Sequence, residues 1–183
     1  LMTRADHACG TDRIAEAADL LGLADDEIVL NVQGDEPDVP AACIDALAGL
    51  MRTSGCPMAT LATPLAAAAA DDTNRVKVVL ARSGRALYFS RSRIPFDRDG
   101  APADCLLHLG LYAYTAGFIR AFARMEPTAA ERREKLEQLR ALEHGHGIAV
   151  AVVDYHGAGI DTPADYAAFV ARTAAGGLPQ TTN

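Results

Sequence analysis

Two aspartates follow segments with the length and composition of buried strands. Asp35 lies in the run Asn31-Val32-Gln33-Gly34-Asp35-Glu36-Pro37, directly after the β-branched segment 27–32, and Asp161 follows the apolar segment 148–153. In open α/β sheets, ligands bind at the carboxyl ends of the strands. Two carboxylates at that edge can share Mg²⁺, which prefers oxygen ligands and retains several waters. The pattern therefore indicates metal-dependent nucleotide chemistry.

Each aspartate also has an ordinary structural interpretation. The sequence from Gly34 to Pro37 is typical of a polar turn, in which Asp35 would need no ligand. Asp161 stands just ahead of Thr162-Pro163, where a helix is predicted to begin, and an acidic residue there can serve as a cap. The local sequence leaves both interpretations open.

Two arginines and one histidine are further side chains of interest, and the arginines could bind an anion, or a base edge in the case of Arg13. Arg13 follows Gly10-Thr11-Asp12 near the predicted amino end of a helix, where phosphate groups bind. Arg98 lies in the proline- and arginine-rich segment 91–104, a long loop of the kind that is often functional. His108 lies on a predicted strand. Each also has a structural alternative. Arg13 could be an ordinary solvated helix residue, and Arg98 could be a loop charge that pairs with an aspartate. His108 could be a hydrogen-bonded histidine of the core or the surface.

The whole-chain composition limits the classes of protein to consider. The 183 residues are 50% hydrophobic, which suits one α/β domain with a sizeable core. Lys and Arg total 17 against 24 Asp and Glu, so the net charge of −7 argues against nonspecific binding to nucleic acid or to an anionic membrane. The four cysteines are scattered, no signal segment is evident, and no apolar run approaches the roughly 20 residues that span a bilayer. These features predict a cytoplasmic protein with reduced thiols.

Helices and strands alternate in the first part of the chain, which predicts a parallel sheet with helices on its faces. Segment 27–32 is expected to be a parallel strand that is buried on both sides. The pattern then changes to an antiparallel pair, 76–80 with 86–90, and a further strand, 106–114. On that strand His108, Gly110, Tyr112 and Tyr114 share one face. Segment 129–143 is predicted to be one helix.

The order of several motifs along the chain resembles the 3-deoxy-manno-octulosonate cytidylyltransferase (CMP-Kdo synthetase) family. The resemblance covers nearly the whole sequence, so it is far more specific than any single motif. The residues that carry it are Thr3-Arg4-Ala5-Asp6-His7 with Gly10-Thr11-Asp12-Arg13, the run 31–37, Val76-Lys77-Val78-Val79, 86–91 with Ile94-Pro95, 108–112, Leu136-Glu137-Gln138-Leu139-Arg140, and 153–165.

The resemblance implies transfer of a cytidylyl group from CTP to the acid sugar 3-deoxy-manno-octulosonate (Kdo), with release of pyrophosphate, as a step of lipopolysaccharide precursor synthesis. It implies that Mg²⁺ is bound by the catalytic residues Asp35 and Asp161. Nucleotide-binding positions would be Gly10, Thr11, Arg13 and Gln33, and sugar-binding positions Gln33, Arg98, His108, Tyr112, Glu137 and Gln138. Cys9 replaces the serine that is usual in the family.

The resemblance also implies a Rossmann-like nucleotide-diphospho-sugar transferase fold. Its mixed, mostly parallel sheet is flanked by helices and carries a smaller antiparallel subregion for sugar binding and dimerisation. The expectation is one domain over residues 1–175, a flexible tail over 176–183, and a homodimer. The family's first βαβ unit, with its phosphate-binding loop, is expected to be missing from this chain. Two alternatives stay open, which are a catalytically silent Kdo-binding or dimerisation remnant and a cytidylyltransferase for another acid sugar.

Overall fold

The structure is a computed structural model that describes residues 1–7, 9–100, 103–155, 159–160 and 162–174. Asp161 and the tail 176–183 lie outside the described residues, so the predictions for them remain predictions. The helices are α1 (Gly10–Leu20), α2 (Ala41–Ser54), α3 (Ala116–Phe122), α4 (Ala129–Glu134), α5 (Gln138–Glu143) and α6 (Pro163–Ala174). The strands are β1 (Ile28–Asn31), β2 (Met58–Leu65), β3 (Lys77–Leu80), β4 (Ala86–Ser90), β5 (Cys105–Thr115) and β6 (Ile148–Val152).

The described strands form one mixed sheet in the order β4-β3-β5-β2-β6, and β1 pairs with β5. The α/β class, the mixed sheet and the antiparallel β3–β4 hairpin are as predicted. Strands β1, β2, β3 and β6 run in one direction, but β5 runs against them and lies between β2 on one side and β1 and β3 on the other. Among the described strands, β2 and β6 are therefore the parallel pair.

The prediction for segment 27–32 was wrong in two respects. Strand β1 pairs antiparallel with the end of β5, with Ile28 opposite Thr115 and Asn31 opposite Tyr112. All four residues of β1 are half-buried rather than fully buried. The β-branched composition correctly indicated a strand, but composition does not specify which neighbour pairs with it or in which direction.

Helices cover both faces of the sheet, because the side chains of β2 alternate between two apolar cores. Met58 and Ala62 pack with α1, α3 and α5, whereas Ala59 and Leu61 pack with α2. This three-layer arrangement brings the amino ends of α1 and α5 to the same side of the sheet as the end of β1. In the described residues, no helix is both long and apolar enough to cross a membrane.

The single helix predicted over 129–143 was also wrong. It is divided into α4 and α5, because Lys135 adopts a left-handed conformation with φ of 56°. Glu131 has the i, i+4 spacing to pair with Lys135 in a continuous helix, but in the structure it pairs with Arg140 of α5. Leu136 and Leu139 are buried in the hydrophobic core and therefore pack within the subunit.

Candidate active site

A cavity of about 500 Å³ lies where α1, β1, β5 and α5 meet. Seven of the predicted site residues line it, together with residues that were not singled out. The predicted ones are Gly10, Thr11, Arg13, Gln33, Tyr112, Glu137 and Gln138. The others are Ile14, Asn31, Val32, Gly34, Met58, Tyr114 and Phe122. Segments predicted to bind the nucleotide and the sugar therefore share one cavity.

A hydrogen bond joins the amino ends of α1 and α5 across this cavity. The Thr11 hydroxyl donates to Oε2 of Glu137 at 2.7 Å, and Thr11 is itself buried. The Cys9 thiol lies next to the same carboxylate, and burial is the main cause that raises the pKa of this thiol. A protonated thiol can donate a hydrogen bond to this carboxylate. The carboxylate of Glu137 is thus oriented by groups of α1.

Gln138 is a buried polar residue with an unused donor. Its side chain is 4% exposed, and Nε2 has no hydrogen-bond partner among the described residues. A buried donor without a partner costs roughly 1–3 kcal/mol, so such groups usually have a functional reason. Since Gln138 lines the cavity, a ligand hydroxyl or carboxylate is the natural partner for this amide.

The segment that presents these two residues is held from behind by an ion pair. Arg140 donates from Nε to Oε2 of Glu131 at 2.9 Å and also contacts the second carboxylate oxygen. Its guanidinium lies over the ring of Phe122, 4.8 Å from the centroid. Glu131 also accepts from the backbone N–H of Thr128, which completes the cap of α4. The hydrogen bonds to Arg140 and Thr128 lower the pKa of Glu131, although burial opposes them as the largest single effect.

The aromatic side of the cavity comes from β5. Tyr112 and Tyr114 stack with their ring centroids 5.8 Å apart, and His108 lies behind Tyr112 at 5.4 Å. A bulge in β5, opposite Thr60 and Leu61 of β2, adds two residues and so keeps the predicted alternation. Tyr112 lines the cavity, whereas His108 does not, and contact of either residue with a sugar stays a prediction.

The environment of His108 is that of a structural histidine. Its ring packs edge-on against Phe89 at 5.0 Å, and Nε2 lies 3.0 Å from the hydroxyl of Thr60. Burial lowers the pKa of His108 to about 3, so the imidazole is neutral at physiological pH. The structural interpretation of this residue fits its surroundings, and its contact with a sugar stays a prediction.

Asp35 lies in the turn after β1, beside the cavity. Its Oδ1 is buried and has no hydrogen-bond partner among the described residues, which suits a group that binds a cation. The backbone N–H of Ile160 donates to the carbonyl of Asp35 at 2.8 Å. A Cβ at Gly159 would lie 3.2 Å from Oε1 of Glu36, so glycine permits this close approach. The chain segment that leads into Asp161 is therefore held against the Asp35 turn.

Two more contacts fix this turn. The hydroxyl of the buried Tyr155 donates to Oε2 of Glu36 at 3.1 Å, and Arg172 of α6 pairs with Asp38 at 2.8 Å.

Groups of three or more potential metal ligands do not occur among the described side chains. A magnesium site needs only one or two carboxylates, because water and phosphate oxygens complete the coordination. The donor set at Asp35 fits such a site.

The structure places the two predicted arginines differently. Arg13 lines the cavity, but Nη1 is engaged by the hydroxyl of Thr3 at 2.9 Å and the carbonyl of Arg4 at 3.2 Å. Arg98 is exposed and lines a separate cavity of about 210 Å³ formed by its own loop. The structure therefore does not bring Arg98 to the main cavity.

The prediction from sequence missed two kinds of cavity residue. Asn31 and Tyr114 could have been found from the sequence. Asn31 is the polar end of an apolar strand, and Tyr114 shares the face of Tyr112. Met58 and Phe122 form apolar parts of the lining. No pattern in the sequence indicates these two residues, because only the packing of α3 against β2 brings them to the cavity.

A polar cavity at the end of β1, enclosed by helix amino ends, lies where α/β proteins usually bind their ligands. A family model described as cytidylyltransferase matches residues 1–148, which is most of the chain. The class is therefore that of the cytidylyltransferases.

Similar proteins identify the branch within this class. The chain is 55% identical over 175 residues to the 3-deoxy-manno-octulosonate cytidylyltransferase of Syntrophobacter fumaroxidans (strain DSM 10017 / MPOB), covering 93% of this chain and 70% of that protein. It is 48% identical over 183 residues to the protein of the same name from Acidovorax sp. (strain JS42), covering 90% and 70%. The chain belongs to the 3-deoxy-manno-octulosonate cytidylyltransferase family.

A solved structure agrees with this assignment. The structure of CMP:2-keto-3-deoxy-manno-octonic acid synthetase complexed with CTP matches with a TM-score of 0.89 and 38% sequence identity. The match covers 96% of this chain and 72% of that one. The likeness therefore extends over the fold as well as the sequence.

Proposed function

We propose that this protein transfers a cytidylyl group from CTP to Kdo and releases pyrophosphate. The observation that carries the proposal is the shared cavity, in which Thr11 of α1 hydrogen-bonds to Glu137 beside α5. The relatives' names and the CTP complex of the structural neighbour support this pair of substrates. An assay must distinguish this activity from two alternatives. The protein could be a catalytically silent remnant, or it could be a cytidylyltransferase for another acid sugar.

The chain's own residues have distinct roles in this proposal. Gly10 and Thr11 bind the nucleotide at the amino end of α1, where backbone N–H groups attract anions. Glu137 and Gln138 bind hydroxyl and carboxylate groups of the sugar. Gln33 lies between the two groups of residues, and its Nε2 lies 3.5 Å from the carbonyl oxygen of Gly110. Tyr112 forms an aromatic wall that orients the sugar.

Asp35 and Asp161 would bind Mg²⁺. Support comes from the buried, unpartnered Oδ1 of Asp35 and from the hydrogen bond between Ile160 and Asp35. When bound, the ion neutralises charge on the α-phosphate and lowers the pKa of the attacking sugar hydroxyl. Arg98 and His108 are proposed as contacts at the edge of the sugar site, on the resemblance alone.

The proposal is tested by pyrophosphate release from CTP, Kdo and Mg²⁺. Asp35→Asn should lower kcat at least 100-fold, because it removes charge from the metal site. Asp45→Asn is the matched control, since Asp45 is exposed on α2. Binding of Kdo without turnover by the wild type would identify the silent remnant. Faster turnover of another acid sugar in a substrate panel would reassign the substrate.

A homodimer and a cytoplasmic location belong to the same proposal. Leu87 of β4 is 60% exposed and Phe96 of the following loop is 85% exposed, so both offer apolar surface for contact with a second subunit. All four cysteines are free thiols, which suits a reducing compartment.

A further inference from the structure

The junction between β4 and the following loop is tied to the end of α4 by the carboxylate of Glu134. Oε1 accepts from the hydroxyl of Ser90 at 2.7 Å, and Oε2 accepts from the backbone N–H of Arg91 at 3.0 Å. Ser90 is 3% exposed. One side chain thus holds the last residue of β4 and the first residue of the loop.

The side chain of Arg91 in turn caps the carboxyl end of α4. Its Nε donates to the carbonyl of Glu134 at 2.7 Å, and Nη1 donates to the carbonyl of Thr73 at 3.1 Å. The last carbonyls of a helix have no partner within the helix, so a guanidinium at that position satisfies them. The completely buried Lys77 donates to the carbonyls of Arg91 and Asp72. Arg91 is therefore held through its N–H, its carbonyl and its side chain.

Two segments with proposed sugar contacts leave from this junction. The loop with Arg98 begins at Arg91, and Glu137 with Gln138 follows Glu134 after the left-handed turn at Lys135. We infer that Glu134 is a positioning residue, which fixes the Arg98 loop and the start of α5 relative to each other for binding of the acid sugar. This inference rests on the proposed function.

Other contacts hold α4 in place without Glu134. The pair of Glu131 and Arg140 joins α4 to α5, and the capping box at Thr128 completes its amino end. Glu134 itself is half-buried and does not line the cavity. Removal of its carboxylate should therefore loosen the junction while the fold persists.

The test compares Glu134→Ala with Glu126→Ala, an exposed carboxylate that gives the same change of charge. Calorimetry measures the Kd of Kdo and the Kd of CTP separately, and amide hydrogen exchange follows segments 92–100 and 135–140. For Glu134→Ala we expect the Kd of Kdo to rise about tenfold, because small displacements of positioned groups cost binding, and the Kd of CTP to stay within about twofold. Exchange should rise in both segments, and Glu126→Ala should change neither measurement.

Glu134→Gln should restore the Kd of Kdo and the rates of amide exchange to values near those of the wild type. Its amide oxygen can accept from the N–H of Arg91 while its NH₂ donates to the hydroxyl of Ser90. Equal rises in both Kd values, or faster exchange confined to α4, would overturn the positioning role. If the wild type binds no Kdo, this result overturns both the assignment of Kdo as the substrate and the role of Glu134 in sugar binding. Unchanged Kdo binding by Glu134→Ala, with a wild type that binds Kdo, overturns the inference alone.

Discussion

The buried amide of Gln138 illustrates how function and stability conflict at single residues. Its Nε2 has no partner among the described residues, so this group destabilises the protein without a ligand. We expect Gln138→Leu to raise the free energy of unfolding by about 1 kcal/mol and to raise the KM for Kdo more than tenfold. Urea unfolding and initial-rate kinetics measure the two effects.

Gln33→Leu is the control for this prediction, because Gln33 also lines the cavity but is exposed. It should weaken substrate binding without a gain in stability. A loss of stability in Gln138→Leu together with unchanged kinetics would show that the amide is a structural group with a partner in solution.

His108 should make the fold sensitive to acid. Burial lowers its pKa from 6.5 to about 3 in the folded state, so between these values the unfolded chain binds a proton that the folded chain does not. The free energy of unfolding therefore falls as the pH decreases below 6.5, with a slope of up to about 1.4 kcal/mol per pH unit from this group.

The variant His108→Asn should remove this part of the pH dependence. Urea titrations between pH 7 and 5 measure the slope, in a range above most carboxylate titrations. Tyr112→Phe is the control, since it alters the neighbouring ring and retains the imidazole. Equal slopes in the wild type and His108→Asn would contradict a neutral, buried histidine.

Seven of the residues that the family resemblance implied as site residues line the cavity, because the motifs that carry the resemblance fall on or next to α1, β1, β5 and α5, which meet there. The position of Arg98 could not be predicted in the same way. Its loop has no periodic pattern, and its conformation depends on contacts such as that between Arg93 and Asp71.

At the scale of elements, the break between α4 and α5 shows where periodicity fails as a predictor. The leucines after Lys135 continue a helical spacing, yet Lys135 is left-handed with φ of 56°. Pairing of Glu131 with Arg140 and capping by Arg91 favour the break over a continuous helix. Arg91 is distant from α4 in the sequence, and the pair of Glu131 with Arg140 does not have the spacing of neighbours on one helix, so helical periodicity indicates neither contact.

Lys135→Gly should stabilise the protein. A residue with a Cβ is strained in the left-handed region, while glycine adopts it freely, so we expect a gain of about 0.5–1 kcal/mol in the free energy of unfolding. Thermal and urea unfolding measure it. Lys135→Ala separates loss of the charge from relief of strain, and an equal gain in that variant would rule out the conformational explanation.

The strands show the same division between local and distant information. The β3–β4 hairpin was predicted correctly, because its turn at Ser83-Gly84 lies within the sequence it connects, and Gly84 has φ of 78°. The antiparallel pairing of β1 with β5 joins segments that are far apart in the chain. Only the assembled sheet determines that partner.

At the scale of the whole molecule, the exposed apolar side chains near β4 bear on assembly. We expect the wild type to sediment as a dimer and Leu87→Lys with Phe96→Lys to sediment as a monomer, because a buried charge without a partner opposes association. Val152→Lys, at another exposed apolar position, is the control for the added charge. A monomeric wild type would contradict the proposed homodimer.

The hydrogen bond between Ile160 and Asp35 joins segments from opposite ends of the described chain. In the proposed function neither segment forms the metal site alone, so that site would exist only after β6 has joined the sheet and the chain beyond it has reached the turn after β1. A partly folded or nascent chain would therefore have no place for the ion, and would be unable to consume CTP. Catalytic competence and completion of the fold would be reached in the same event.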